Sequence, residues 1–223
     1  MSRILIVLTA SNTLTLADGS LHPTGFWAEE FVVAHRELRA AGHDISIATP
    51  GGQRPPVDPA SLEGFADYLA AVDAELAHPL DLATVTASDF DAIVLPGGHG
   101  PMTDLAHDAA LGALLIGADE AGAVIAPFCH GPAGLLSASR PDGSFAFAGR
   151  RLAVFTDEEE RTGGTGERSP WFVASALAER GAIIETGAAW SSVVVRDGNL
   201  ISGQNPQSSE AVTAAVVEAL RTA

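Results

Sequence analysis

Four stretches of this chain, Arg3 to Leu8, Asp44 to Thr49, Asp91 to Leu95 and Ala123 to Phe128, are short runs rich in β-branched and apolar residues. Between them lie longer segments of helical periodicity. Such continuous apolar runs suit strands buried on both faces, and their alternation with helices suits parallel strands joined by crossover connections. The class is α/β. With 223 residues, 47% of them hydrophobic, one sizeable core can form. No internal repeat and no linker interrupts the chain, so a single domain over residues 1–223 is expected.

The remaining elements follow from periodicity and punctuation. A polar segment runs from the first strand to Gly25, and a helix is expected from about Phe26 to Ala41, ended by Gly42. Pro50 to Pro56 reads as a loop and Ser61 to Ala77 as helical. A helix over roughly Ala109 to Glu120 precedes the strand ending at Phe128. Downstream, Phe145 to Phe147 and Arg151 to Thr156 read as strands, Ser169-Pro170 as a helix start, and Val193 to Ile201 as a hairpin around Asp197-Gly198. A helix over about Ser208 to Arg221 closes the chain.

Composition removes several function classes. Twelve basic against 28 acidic side chains give a formal charge of −16, a field that repels nucleic acid phosphates and anionic membranes. All twelve basic residues are arginine. That excludes lysine Schiff-base chemistry, a P-loop lysine and a lysine general base. No apolar run approaches the roughly 18 to 20 residues that span a bilayer. The lone cysteine and a start too short in apolar residues for a signal peptide lead us to expect a reducing, cytoplasmic home.

Cys129 is the residue whose surroundings most suggest chemistry. An apolar strand ends at Phe128, and Pro132 opens a turn of helix after it, so the cysteine sits on a strand-to-helix elbow. Amides at a helix N-terminus favour thiolate over thiol, and the small residues Gly131 and Ala133 leave room for a substrate. His130 follows directly, as a base at the same mouth or as a capping histidine. None of the seven histidines lies beyond it, which disfavours a glutaminase whose H-x-E pair lies far downstream of its cysteine.

Gly97 and Gly98 end another buried strand, and amides there, notably that of Gly98, could meet a developing oxyanion together with the amide of His130. An ordinary tight turn is the other reading. Gly98-His99-Gly100 lacks the third glycine of a dinucleotide fingerprint, and no cofactor site is expected. His99, Asp104, His107 and Asp108 are spaced too irregularly to suggest a metal centre. On the helix beginning near Phe26, Trp27, Phe31, Ala34 and Leu38 form an inward stripe and Glu30 falls on it, whereas Glu29 lies nearer the solvated side. An inward carboxylate needs a partner or a proton, unless its head reaches water at the edge of the stripe.

Gly25-Phe26-Trp27-Ala28-Glu29-Glu30, Pro96-Gly97-Gly98-His99-Gly100-Pro101-Met102 and Ala126-Pro127-Phe128-Cys129-His130-Gly131-Pro132-Ala133 together resemble the ThiJ/PfpI superfamily. More narrowly, the chain looks like its branch of glutathione-independent glyoxalase III enzymes and stress-induced chaperone-like proteins. Ala48 to Gly52, Phe155-Thr156-Asp157 and Ser202 to Pro206 extend the likeness over almost the whole chain. The resemblance implies a flavodoxin-like α/β sandwich, with helices on both faces of a mostly parallel sheet, and a homodimer. It also implies a reactive Cys129 assisted by Glu30, and an acidic partner for His130 shortly after Thr156. Glu160 matches by position within the run Asp157 to Glu160. Ala188-Ala189-Trp190 departs from the Pro-Trp wording of some relatives.

The resulting expectation is an enzyme that converts methylglyoxal or a similar 2-oxoaldehyde to a 2-hydroxy acid through a cysteine hemithioacetal, without cofactor. The rivals are a holdase chaperone, a redox-sensing thiol protein, and a cysteine-dependent amide hydrolase acting as deglycase or peptidase.

Overall fold

The computed structural model describes residues 1–222. In chain order the elements are β1 (Arg3–Val7), β2 (Thr13–Thr15), β3 (Leu21–Pro23), α1 (Ala28–Ala40), β4 (Asp44–Thr49), α2 (Ala66–Ala71), α3 (Asp73–Ala77) and β5 (Leu80–Asp81). They continue with β6 (Ala92–Leu95), α4 (Ala109–Ala121), β7 (Val124–Pro127), β8 (Arg151–Leu152), α5 (Asp157–Gly163), α6 (Val173–Glu179), β9 (Ile183–Ile184), β10 (Val194–Asp197), β11 (Leu200–Gly203) and α7 (Ser209–Thr222).

Seven strands form the central sheet in the order β10-β11-β7-β6-β1-β4-β5, parallel throughout except for the antiparallel pair β10 and β11. Side chains alternate between two cores. Leu5, Val7, Ile93, Leu95 and Ile125 face one, with α4 and α6 covering them through Leu111, Leu115 and Leu177. Ile4, Ile6, Ala92, Val94, Val124 and Ala126 face the other, covered by Phe31 and Leu38 of α1 and Val212 and Val216 of α7. Burial on both faces explains why the sequence shows continuous apolar runs there instead of alternation. The flavodoxin-like α/β architecture is as the resemblance implies.

Several local expectations need correction. The polar segment before Gly25 contains the β2–β3 hairpin. Residues 61–77 form two short helices broken at Val72, with a separate 3-10 turn at Pro59–Ser61. The segment after Cys129 is a 3-10 helix, Gly131–Ser137, because Gly131 and Gly134 press against Leu95 and Leu111 and disfavour an α-helix. Phe145, Ala146 and Phe147 are all buried but form no strand, only a bridge from Ser139 to Phe145. Only Arg151 and Leu152 of the run to Thr156 join a ladder, with β9. Beyond them, Ala153 donates to the Ser202 hydroxyl and Phe155 to the carbonyl of Cys129. Finally, α6 begins at Val173, capped by extended Phe172, three residues after Pro170.

The chain places β4 and β6 on opposite sides of β1, so a crevice opens at the carboxyl ends of β1 and β6. The start of α1, the Gly97-Gly98 loop after β6 and Cys129 after β7 all lie at this edge.

Candidate active site

Cys129 occupies the left-handed region, with φ +57°. A non-glycine residue there carries about 1–2 kcal/mol of strain. The surrounding backbone holds it in place: the Cys129 N–H donates to the Gly203 carbonyl at 3.0 Å, and its carbonyl accepts from Phe155 at 3.0 Å. The two glycines of the neighbouring loop make the close approach possible. A Cβ on Gly97 would sit 2.6 Å from the His130 nitrogen, and one on Gly98 (φ +88°) would strike the Gly25 carbonyl.

Around the sulfur the chain assembles Glu30, His130 and Glu160. Cys129 Sγ is 3.3 Å from His130 Nδ1, and His130 Nε2 is 2.7 Å from Glu160 Oε2. Within the acidic run, Glu160 is therefore the residue that reaches the histidine. Glu159 turns away: it completes a capping box with Thr156 and accepts from Trp190 N–H, Gln204 and Asn205. Thr156-x-x-Glu159 is a capping signature readable in the sequence, and it would have placed α5 and assigned Glu159 a structural task.

Glu160 also accepts from Thr165 N–H and hydroxyl, and lies 3.1 Å from His99 Nε2. Burial acts to raise its pKa, but the hydrogen bonds from His130 and His99 outweigh that and hold the carboxyl well below the usual range. As a carboxylate it only accepts, so both histidines present Nε2–H to it. Their Nδ1 atoms keep a lone pair, and that of His130 points to the thiol. Burial, then repulsion from His99, lowers the His130 pKa, which keeps the ring neutral and able to take a proton. His99 is a further member of the site, to which its glycine-rich loop and its place among irregularly spaced metal-type donors assigned no catalytic part. Of those donors, Asp104 clamps Thr9, Ala10 and Ser11, and Asp108 caps α4 through Leu111.

Glu30 is fully buried, one residue on from half-buried Glu29. Its Oε2 accepts from Gly97 N–H at 2.5 Å, while Oε1 has no hydrogen-bond partner. Burial pushes its pKa up to about 8, against the opposing pull of Gly97 N–H and the Cys129 side chain. Burial likewise raises the Cys129 thiol, and a charged Glu30 raises it further, while the amides of Gly98 and His130 act to lower it. The expectation that a helix terminus supplies the thiolate-favouring field is thus corrected, since a 3-10 turn follows and the amides on sulfur come from two different loops. Glu30 and Cys129 together keep at least one proton at neutral pH. When it sits on Glu30, the acid can donate to a thiolate, and Oε1 gains its missing partner.

The sulfur opens into a cavity of about 70 Å³ lined by Trp27, Gly98, His99, Cys129, His130, Phe155, Gly163, Gly164, Trp190 and Pro206. Larger surface grooves exist, such as one of about 640 Å³ between α1 and α7, but Cys129 lines none of them. The enclosed volume suits a molecule of a few heavy atoms. Aromatic rings form part of its wall: Phe155 lies 4.3 Å from the His130 ring and meets Trp190 edge-on at 5.6 Å, centroid to centroid. No helix among the described residues is long and apolar enough to cross a membrane.

Comparison with known proteins agrees with this geometry. The DJ-1/PfpI family model matches residues 21–151, more than half of the chain. The "Protein/nucleic acid deglycase HchA" of Pseudomonas aeruginosa (strain UCBPP-PA14) is 29% identical over 227 residues, covering 93% of this chain and 77% of that protein. Among solved structures, the Rapid Encystment Protein 24 kDa of Francisella tularensis is 26% identical with a TM-score of 0.90, covering 99% of each chain. Glyoxalase III from Candida albicans superposes with a TM-score of 0.83 over 98% of this chain and 97% of that one, and at 23% identity shares the fold.

Proposed function

This chain belongs to the DJ-1/PfpI family, and we propose that it is a glutathione-independent glyoxalase acting on methylglyoxal or a similar small 2-oxoaldehyde. The observation that carries this reading is the relay from Cys129 Sγ through His130 to Glu160, at 3.3 and 2.7 Å, in a cleft of about 70 Å³.

In this reaction the Cys129 sulfur adds to the aldehyde carbon C1, and the proton released ends on the C1 oxygen, giving a hemithioacetal. Amides of Gly98 and His130 stabilise that oxygen as charge develops. His130 Nδ1 then removes the hydrogen on C1, forming an enediol, and the proton returns to C2. The product is a thioester of the 2-hydroxy acid. Water hydrolyses it, releasing the acid and restoring the thiol. One oxoaldehyde and one water yield one hydroxy acid, so no external oxidant or reductant is consumed. Glu160 holds the His130 tautomer and balances the imidazolium that forms.

A deglycase reading is favoured by one specific observation, the name carried by the P. aeruginosa relative. The same thiol and base serve that chemistry. The −16 charge and narrow cleft favour a free small aldehyde over a nucleic acid or a folded protein as the main substrate. For assembly we propose a homodimer whose interface is apolar or hydrogen-bonded rather than charged. Sedimentation giving only monomer at micromolar concentration overturns that proposal.

The decisive experiment incubates the protein with methylglyoxal in the absence of any thiol and follows lactate by NMR, beside a Cys129→Ala control. Lactate from the wild type alone supports the reading. Equal formation by the alanine variant, or none by the wild type while a glycated peptide is repaired, replaces it.

A further inference from the structure

Behind the cleft, three segments distant in sequence converge: strand β3 carries His22, the loop before the Pro59–Ser61 turn carries Asp58, and the loop after β6 carries His99. One donor atom from each lies within 4.8 Å of the others. We propose that His22, Asp58 and His99 form a binding site for a divalent cation of the zinc type. The proposal is independent of the proposed reaction, and its failure leaves that reading untouched.

The donor chemistry is that of zinc: two imidazoles and a carboxylate, with a fourth position left open. In a tetrahedral site an ion about 2.1 Å from each donor sets the donors about 3.4 Å apart, so atoms that now lie within 4.8 Å of one another close by at most about 1.4 Å. Two of the three ligands are also held in place by hydrogen bonds. Asp58 Oδ2 accepts from the Thr24 hydroxyl and Oδ1 from Ala60 N–H, both at 2.9 Å, and each oxygen retains a lone pair. His99 gives its Nε2–H to Glu160, leaving Nδ1 free. An imidazole backed by a carboxylate on its far nitrogen is the usual outer support of a metal-binding histidine.

Two observations set this cluster apart from ordinary buried polar groups. The Asp58 carboxylate is 3% exposed, yet among the described residues it makes no ion pair with any arginine or histidine. A buried carboxylate in that state lacks a compensating positive charge. The His22 ring makes no hydrogen bond to any described residue, and meets His99 edge-on at 5.6 Å between centroids. By contrast, the overlapping group His99, His130 and Glu160 is already closed by its own hydrogen bonds at 2.7 to 3.2 Å, with no gap for an ion.

The test titrates the metal-free full chain with zinc by calorimetry, and with cobalt by its visible absorption. The variants are His22→Ala, Cys129→Ala and His130→Ala. The expected result is one equivalent bound by the wild type and by the Cys129 and His130 variants, with affinity falling at least tenfold in His22→Ala. Zinc should raise the wild-type Tm and leave that of His22→Ala unchanged. Should the alanine disturb the β2–β3 hairpin, His22→Phe keeps a ring against His99 and removes the donors. Undiminished binding by the His22 variants, loss of binding in the Cys129 or His130 variant, or no stoichiometric binding by the wild type overturns the proposal.

Discussion

The sulfur of Cys129 lies 3.3 Å from Nδ1 of His130, its own neighbour in the chain. Adjacent side chains on an extended strand point to opposite faces. Here the +57° φ of Cys129 breaks that alternation at the end of β7 and turns both side chains into one cleft. The backbone strain thus has a chemical consequence, since it places a base beside a nucleophile without borrowing the base from another element.

That strain predicts an inverted order of stability between two variants. Alanine at 129 keeps the left-handed penalty, whereas glycine occupies this region freely. Cys129→Gly is expected to exceed Cys129→Ala in unfolding free energy by about 1 kcal/mol, although glycine usually destabilises relative to alanine. Urea unfolding midpoints of the two proteins decide it; a more stable alanine variant means the conformation costs nothing.

Replacing Glu160 by glutamine should leave the fold intact and lower kcat by about 10²- to 10⁴-fold, with little change in KM. A neutral amide cannot hold two imidazole N–H groups and Thr165 together, and His130 loses both its tautomer and the charge that stabilises its protonated form. Steady-state kinetics on methylglyoxal provide the measurement. A variant that retains wild-type kcat removes Glu160 from the relay.

Glu30 and Glu29 should separate cleanly by thiol reactivity. Below about pH 8 the buried Glu30 carries a proton it can donate to sulfur, so Glu30→Leu should move the midpoint of Cys129 alkylation to higher pH. Glu29→Gln should leave the midpoint in place. A midpoint that falls in Glu30→Leu identifies Glu30 as a carboxylate that repels the thiolate, and the donor role is then withdrawn.

The two carboxyl groups also predict opposite dependences of stability on pH. Glu30 is raised to about 8, so the unfolded chain releases this proton first and stability drains as pH climbs from about 4.5 towards 8. Glu30→Gln should therefore gain on the wild type by up to about 1.4 kcal/mol per pH unit across that window. Glu160 is depressed, so its contribution is present above the ordinary carboxylate range and is lost on acidification. The cost of Glu160→Gln should shrink steadily below about pH 4.5. Chemical denaturation at a series of pH values reads both trends.

What the linear chain determined was its strands and the address of the nucleophile. Ile4 to Val7, Ala92 to Leu95 and Val124 to Pro127 are apolar without interruption because each strand is covered on both faces, and that pattern survives without any knowledge of partners. Glu30 was legible for a related reason, since helical phase alone puts it with Phe31 and Leu38 on the buried stripe of α1. Short elements escaped this logic: β5, β8 and β9 are two-residue strands that exist only because a neighbouring ladder accepts them. Tertiary structure decided which acid serves His130. Glu159 and Glu160 are identical in type and adjacent, and roughly 100° of helical rotation sends one to Asn205 and the other to the imidazole. It also decided that His99 shares that carboxylate, and that His22 and Asp58 meet behind it. Those contacts join residues up to 77 positions apart, from His22 to His99, and depend on where loops end at the sheet edge. Local periodicity carries no information about that distance, whereas packing fixes it.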